Sequence, residues 1–497
     1  MKLRLILLLG LMPCPALTAQ ITLPKILSSH MVVQRDLPLH VWGLSAPGED
    51  ITVTFRGATR SAHSDGLGQW SLYLAPGSAG GPFEMKVTGS SANEQPILLS
   101  DILVGDVWLA SGQSNMEFPM SRAATAAQDL PHADNPRIRL LMVKKRASDY
   151  AELDLDSDGW TPSTTDTAKD FSAVAWYFAR DLAQREHVPI GVIDSTWGGT
   201  VAESWVRLTA LGEDASLNPL FFSRGKMTDH GAIDALEEKD EQRQRDQAKA
   251  EGKPIPQFKW HPALASWGPG LLWNGMIAPI APYAIRGVIW YQGESNSALQ
   301  RAPLYNHIFR TLIEDWRRQW SIGDFPFLYV QISNFKSTPA EDWAVLREQQ
   351  RKTLEMQNTA MIVTIDIGNP DDVHPTDKLD VGLRLARAAR ALAYGESVEY
   401  SGPAFRQATP EAASIRAWFD HAHGLNAKGG EVTGFEVAGS DGKFYPATAT
   451  IDGETILASS PSVPEPVFVR YGWANSPQCD LFNGEGLPAS PFTSVHE

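Results

Sequence analysis

Four short polar blocks each follow a run of β-type residues, and their side chains suit acyl transfer. The first is Ala110-Ser111-Gly112-Gln113-Ser114-Asn115-Met116. A serine between a glycine turn and a helix start presents its hydroxyl at a sheet edge, where the first helical N–H groups lack partners and face an incoming oxyanion. The block is not the G-x-S-x-G elbow, because Asn115-Met116 replaces its closing residues. The second block, Ser195-Thr196-Trp197-Gly198-Gly199-Thr200, pairs two glycines that let backbone approach a ligand. In the third, Trp290-Tyr291-Gln292-Gly293-Glu294-Ser295-Asn296, a strand runs into polar side chains, and an asparagine amide there can donate to an oxyanion. The fourth, Asp371-Asp372-Val373-His374-Pro375, offers an imidazole to take the Ser114 proton and a carboxylate to orient the ring. Alone, each has an ordinary structural reading: an N-cap serine, a tight turn, a capped polar turn, a surface loop.

The elements around these blocks alternate. Between residues 101 and 395 the runs Ile102–Ala110, Arg139–Val143, Ile190–Ile193, Gly287–Tyr291, Phe327–Ile332 and Ala360–Ile365 read as strands. Helical spacing marks Ser172–Ala183, a stretch from about Trp343 to Met356, and another from about Asp377 to Tyr394 that Gly395 stops. Such alternation predicts a parallel sheet covered on both sides, with the site at its strand ends. Residues 20–100 and 396–497 read instead as short strands between Gly, Pro, Asp and Ser turns, the texture of β-sandwiches. They are expected to frame the catalytic part, a glycan-docking surface being the alternative. About residues 206–262 interrupt the pattern, and their centre, Ala235 to Lys253, is charged enough to be a solvated helical excursion or a lid.

At 497 residues the chain is long enough for two to four domains. Its net charge of −15 argues against nucleic acid or an anionic membrane as partner. Lys2 and Arg4 precede a short apolar run and then small residues, so residues 1–19 are expected to be an export signal cut near Ala19. That run is too short to span a bilayer. The expected destination is the periplasm or the exterior. Sixteen tryptophans fill a core or offer faces to sugars. Of two cysteines, Cys479 has no partner once Cys14 is removed. No histidine spacing suggests a metal, His421 and His423 reading as a solvated pair, and no phosphate loop is present, so no cofactor is expected.

Taken together, the order Ser, Gly, Asn, Asp/His resembles the SGNH hydrolase superfamily. The longer strings G-Q-S-N-M, S-T-W-G-G-T-V-A-E-S-W, W-Y-Q-G-E-S-N and D-V-H-P-T-D-K are similar to those of the sialate O-acetylesterase family. So are Asn274-Gly275-Met276-Ile277-Ala278-Pro279, Leu346-Arg347-Glu348, Val469-Arg470-Tyr471-Gly472-Trp473 and Glu485-Gly486-Leu487-Pro488-Ala489, so the likeness covers most of residues 20–497. The resemblance implies an α/β, flavodoxin-like core flanked by β-rich regions. It makes Ser114 the nucleophile and His374 the base. It builds the oxyanion hole from the Ser114 and Gly199 N–H groups and the Asn296 side chain, with Gln113 and Glu294 lining or bracing the pocket. The superfamily spacing D-x-x-H selects Asp371 and the closer family's D-x-H selects Asp372, with a slight preference for Asp372. The implied substrate is an acetylated sugar: sialic acid first, xylan or xyloglucan second. A sialate carboxylate would want a cation, and Arg347 is the candidate. A glycan-binding protein with a dead hydrolase core and a long-chain esterase are the rival readings.

Overall fold

The first apolar run of the middle region belongs to a strand nearly twice its expected length, Ile97–Gly112. This is seen in a computed structural model that describes residues 20–90, 95–221, 239–258 and 264–495. Residue 100 therefore lies inside a strand. The first half pairs antiparallel with Gly80–Gly89 of the N-terminal β region and, parallel, with Val32–Gln34. The second half, buried throughout, is the centre of the main sheet. In space that sheet runs Thr359–Ile362, Phe327–Val330, Gly287–Tyr291, Ile97–Gly112, Ile190–Thr196, Asn135–Met142, Trp160–Ser163. Its pairings are parallel until the last, where Trp160–Ser163 turns antiparallel.

Continuous apolar runs explain the parallel strands, since helices cover both of their faces. Ala173–Arg185 and Leu379–Leu392 pack on one face through Val174, Phe178, Leu182, Val381 and Leu385. Tyr305–Trp320 and Trp343–Lys352 cover the other through Phe309, Leu312, Trp316 and Leu346. Trp108, Trp176, Trp205, Trp290, Trp316 and Trp343 are fully buried, so these tryptophans serve packing and not sugar stacking.

From Ile97–Gly112 the chain passes to one side of the strand, through Asn135–Met142 and Trp160–Ser163 and back to its neighbour Ile190–Thr196, and later crosses to Gly287–Tyr291 on the other side. At such a reversal the loops diverge and leave a crevice at the carboxyl ends of the strands. The register aligns Gly112 with both Thr196 and Tyr291, which brings three of the four polar blocks to one edge. Gly112 has φ +131, and a Cβ there would lie 2.2 Å from the Tyr291 carbonyl oxygen, so no other residue fits this crossing.

Beyond Gly395, two antiparallel sheets enclose a core of Ile415, Phe419, Phe435, Val437, Ile456, Tyr471 and Phe492. Arg347 ties this region to the main sheet. Of the expected charged excursion, residues 239–250 are helical, with Arg243–Asp240 and Arg245–Glu241 pairs on the surface. Its residues 235–238 lie outside the described residues, as does the expected signal, 1–19, with Cys14. No helix among the described residues is long and apolar enough to cross a membrane.

Candidate active site

Ser114 opens a one-turn helix, Ser114–Glu117, that Gln113 caps from extended backbone. The Gln113 N–H donates to the Tyr291 carbonyl at 3.0 Å, and its own carbonyl accepts from Met116 and Glu117. The serine is thus fixed where strand becomes helix, its N–H among the first-turn donors that a helix leaves unpaired. The His374 loop reaches it from the far end of the sequence: Ser114 Oγ and His374 Nε2 are 2.8 Å apart. Both are half-buried and line one cleft of about 530 Å³.

The two aspartates part company. Asp371 lies out in solvent with Lys336, 2.9 Å from its Nζ. Asp372 accepts the backbone N–H of His374 at 2.9 Å and sits 3.9 Å from its Nδ1. The second distance is a Coulomb contact and too long for a hydrogen bond. Burial lowers the proton affinity of His374, and Lys378 and Arg122 lower it further against the pull of Asp372. The imidazole is therefore neutral at neutral pH and free to accept a proton.

Gly198 packs against the serine. A Cβ on Gly198 would stand 3.2 Å from Ser114 Cβ, and its N–H donates to Glu117 Oε2 at 2.5 Å. Gly199 follows with φ +76, its carbonyl accepting from Trp267 Nε1 at 2.7 Å. Asn296 is fully buried. Its Oδ1 accepts from Ala202 N at 2.9 Å and from Gln292 Nε2 at 2.7 Å, and its Nδ2 donates to Glu203 Oε2 at 2.8 Å. Glu203 is paired with Arg301. The amide is thereby locked against the second block. Gln113 Oε1 accepts the Ser295 N–H at 3.2 Å, so Gln113 braces the third block.

Arg347 is not at the substrate cleft, and this corrects the sequence expectation. It is fully buried, and its guanidinium donates to the carbonyls of Ile332, Ala474, Ser333 and Asn475 at 2.7–3.0 Å. The cations that line the cleft are Arg122, Lys144 and Lys145.

Sequence reasoning missed a buried polar cluster beneath the serine. Asn115 donates through Nδ2 to Glu294 Oε1 at 2.6 Å and to the Val373 carbonyl at 3.0 Å, and its Oδ1 accepts from Lys378 Nζ at 2.6 Å. One asparagine so joins the serine, glutamate and histidine blocks. Lys378 lies 4.8 Å from the Phe118 ring and 5.5 Å from that of Tyr291. Burial brings its ammonium down to about 7, and the same burial raises Glu294, whose Oε2 finds no hydrogen-bond partner among the described residues. Asp194 on the cleft wall is pushed up to about 7 by burial, although Thr196 Oγ1 donates to it at 2.7 Å. The one sequence signal for Lys378 was a lysine just ahead of an apolar helix, which reads equally well as solvated.

The geometry has close counterparts. A family described as carbohydrate esterase, sialic acid-specific acetylesterase, matches residues 259–391. The sialate O-acetylesterases of Mus musculus and Homo sapiens are each 30% identical to the chain over 94% of its length, covering 93% and 91% of their own. The structure of a carbohydrate acetylesterase from Xanthomonas citri superposes with a TM-score of 0.83 at 37% identity, over 96% of this chain and 100% of that one. A polar cleft at the reversal of a sheet, with relatives matched nearly end to end, leads to one conclusion: the chain belongs to the sialate O-acetylesterase family of carbohydrate esterases.

Proposed function

We propose that the chain removes acetyl groups from acetylated sugars by a serine mechanism, with O-acetylated sialic acid as the leading substrate. The carrying observation is the 2.8 Å contact between Ser114 Oγ and His374 Nε2 in an open cleft. Ser114 Oγ attacks the acetyl carbonyl carbon while Nε2 takes its proton. The oxyanion forms against the Ser114 and Gly199 N–H groups and the Asn296 amide. His374 then returns the proton to the departing sugar oxygen, leaving an acetyl ester on Ser114. Water, deprotonated by the same nitrogen, releases acetate and restores the serine. Asp372 favours the Nδ1–H tautomer by its charge and holds the loop through the His374 N–H. Asp371, paired with Lys336, takes no part.

The same reading makes the sheet an SGNH hydrolase core. What supports it is the order of the parallel strands, which differs from the flavodoxin-like 2-1-3-4-5 by one added internal strand, Asn135–Met142, between Ile190–Thr196 and the antiparallel edge strand Trp160–Ser163. The reading divides the chain at about residue 100, within the strand that the front region and the core share, and at about residue 395, with sandwich-like flanks that frame the core, and residues 1–19 as the signal for export. Acetylated xylan or xyloglucan is the second substrate class, since the Xanthomonas citri relative is named only as a carbohydrate acetylesterase.

The test is acetate release from a panel of acetylated sialic acids and plant glycans. Ser114→Ala is expected to lower kcat at least about 1,000-fold with the fold intact. Turnover that survives this substitution sinks the serine mechanism. Rates rising beyond butyrate in an acyl-chain series sink the acetyl reading.

A further inference from the structure

The cleft beside Ser114 holds three cations in an acidic protein, and they are not equivalent. Lys144 is engaged by Asp158 at 2.7 Å and Asp156 at 3.7 Å. Lys145 binds Glu117 Oε1 at 2.5 Å, whose other oxygen holds the Gly198 N–H. Arg122 makes no ion pair or side-chain hydrogen bond among the described residues. Its guanidinium rests on the face of Phe118, 4.8 Å from the ring centre. That stacking orients the planar fork without using any of its five N–H donors.

The backbone under Arg122 is fixed. It ends the turn Met120–Arg122, between buried Met120 and Ala123. The Ser121 N–H donates to Lys169 O at 2.7 Å, and the Ala124 N–H donates to Thr376 O, two residues past His374, at 2.9 Å. Its charge is felt at His374 and at Lys378. Asp170 also lines the cleft, and it is not among the leading charges on either group. A volume of about 530 Å³ accommodates one sugar of this class.

We propose that this cleft is an acidic-sugar subsite in which Arg122 pairs with a substrate carboxylate, with Lys145 as the neighbouring cation. The inference rests on the esterase reading and adds to it which residue selects the substrate and by what charge. The carboxylate could belong to a sialic acid or to a uronic acid, and the experiment separates them.

The full chain is assayed at pH 8, where His374 is neutral whether or not Arg122 is present. Substrates are an O-acetylated sialic acid, an O-acetylated glucuronic acid and the methyl ester of each. The wild type is expected to favour one free acid over its methyl ester in kcat/KM by about 10- to 100-fold, the worth of one charge-assisted hydrogen bond. Arg122→Gln is expected to bring that ratio to about 1, through KM, and Arg122→Lys to recover part of it. A wild-type ratio near 1 for both sugars, or a ratio that Arg122→Gln leaves in place, overturns the proposal. Calorimetry with the Ser114→Ala chain asks the same question without turnover, using free sialic acid, glucuronic acid and their methyl esters. A chain that binds an acid through Arg122 but hydrolyses nothing refutes the esterase reading alone. A chain that hydrolyses acetylated sugars with no preference for the acid refutes the subsite alone.

Discussion

His374 stands between charges of opposite sign, and each can be removed singly. Because burial, Lys378 and Arg122 lower its proton affinity, the base form persists below the ordinary imidazole value near 6.5. The acid limb of kcat/KM on a neutral ester should lie below that value. Asp372 opposes the shift. Asp372→Asn is therefore expected to move the limb to lower pH and to cost turnover, while Lys378→Met and Arg122→Gln move it to higher pH. A pH–rate series on the three variants checks the signs, and a shift in the same direction for all three refutes the assignment. Asp371→Asn is expected to change neither limb nor rate. Lys378→Met should also lower kcat by roughly 10- to 100-fold with little change in KM, because it loosens the Asn115 bridge under both reacting groups. Ser114 and His374 were legible as residues because their neighbours form unusual strings. Lys378 and Arg347 were not, because sequence does not reveal whether a cation meets carboxylates, carbonyls or water.

At the scale of elements, the site is a meeting of loops that short glycine contacts permit. Gly198→Ala puts a methyl 3.2 Å from Ser114 Cβ and 3.1 Å from Glu117 Oε2. The serine turn must yield by a few tenths of an ångström, so the expected result is a fall in kcat of about 10-fold or more with thermal stability near wild type. Measuring both on one preparation separates a displaced nucleophile from a damaged fold. The strand–helix alternation was readable, and three helices fell near their expected places: Ala173–Arg185, Trp343–Lys352 and Leu379–Leu392. The helix Tyr305–Trp320 was not among those expected, although Ile308, Phe309, Leu312, Ile313 and Trp316 repeat at helical spacing. The edge strand Trp160–Ser163 was also unexpected, since WTPS has no apolar run. It is specified by its partner and not by itself.

Across the whole molecule, Arg347 fastens the C-terminal β region to the sheet. Its removal takes a donor from four carbonyls, of which Ile332 and Ser333 O lie in the interior and Asn475 O keeps the Phe335 N–H. Arg347→Met is expected to cost about 3 kcal/mol or more and to lower Tm by several degrees. KM for the remaining folded enzyme should hold, which distinguishes a fastening role from substrate contact. Calorimetric unfolding beside steady-state kinetics provides the check. The N-terminal side is bound as tightly. Asp106, fully buried, accepts from Arg35 Nε and Nη2, Gln34 and Tyr394 at 2.9–3.1 Å, joining the first strand to the end of the last helix.

The strand Ile97–Gly112 carries the β region on one half and leads into Ser114 just beyond its tip. It works as a shared beam. A shortened polypeptide beginning at residue 101 would remove four residues of that beam, and with them the antiparallel neighbours that hold its rear. The front β unit of this chain therefore does not part from the site as a cassette would, because the two share one continuous strand.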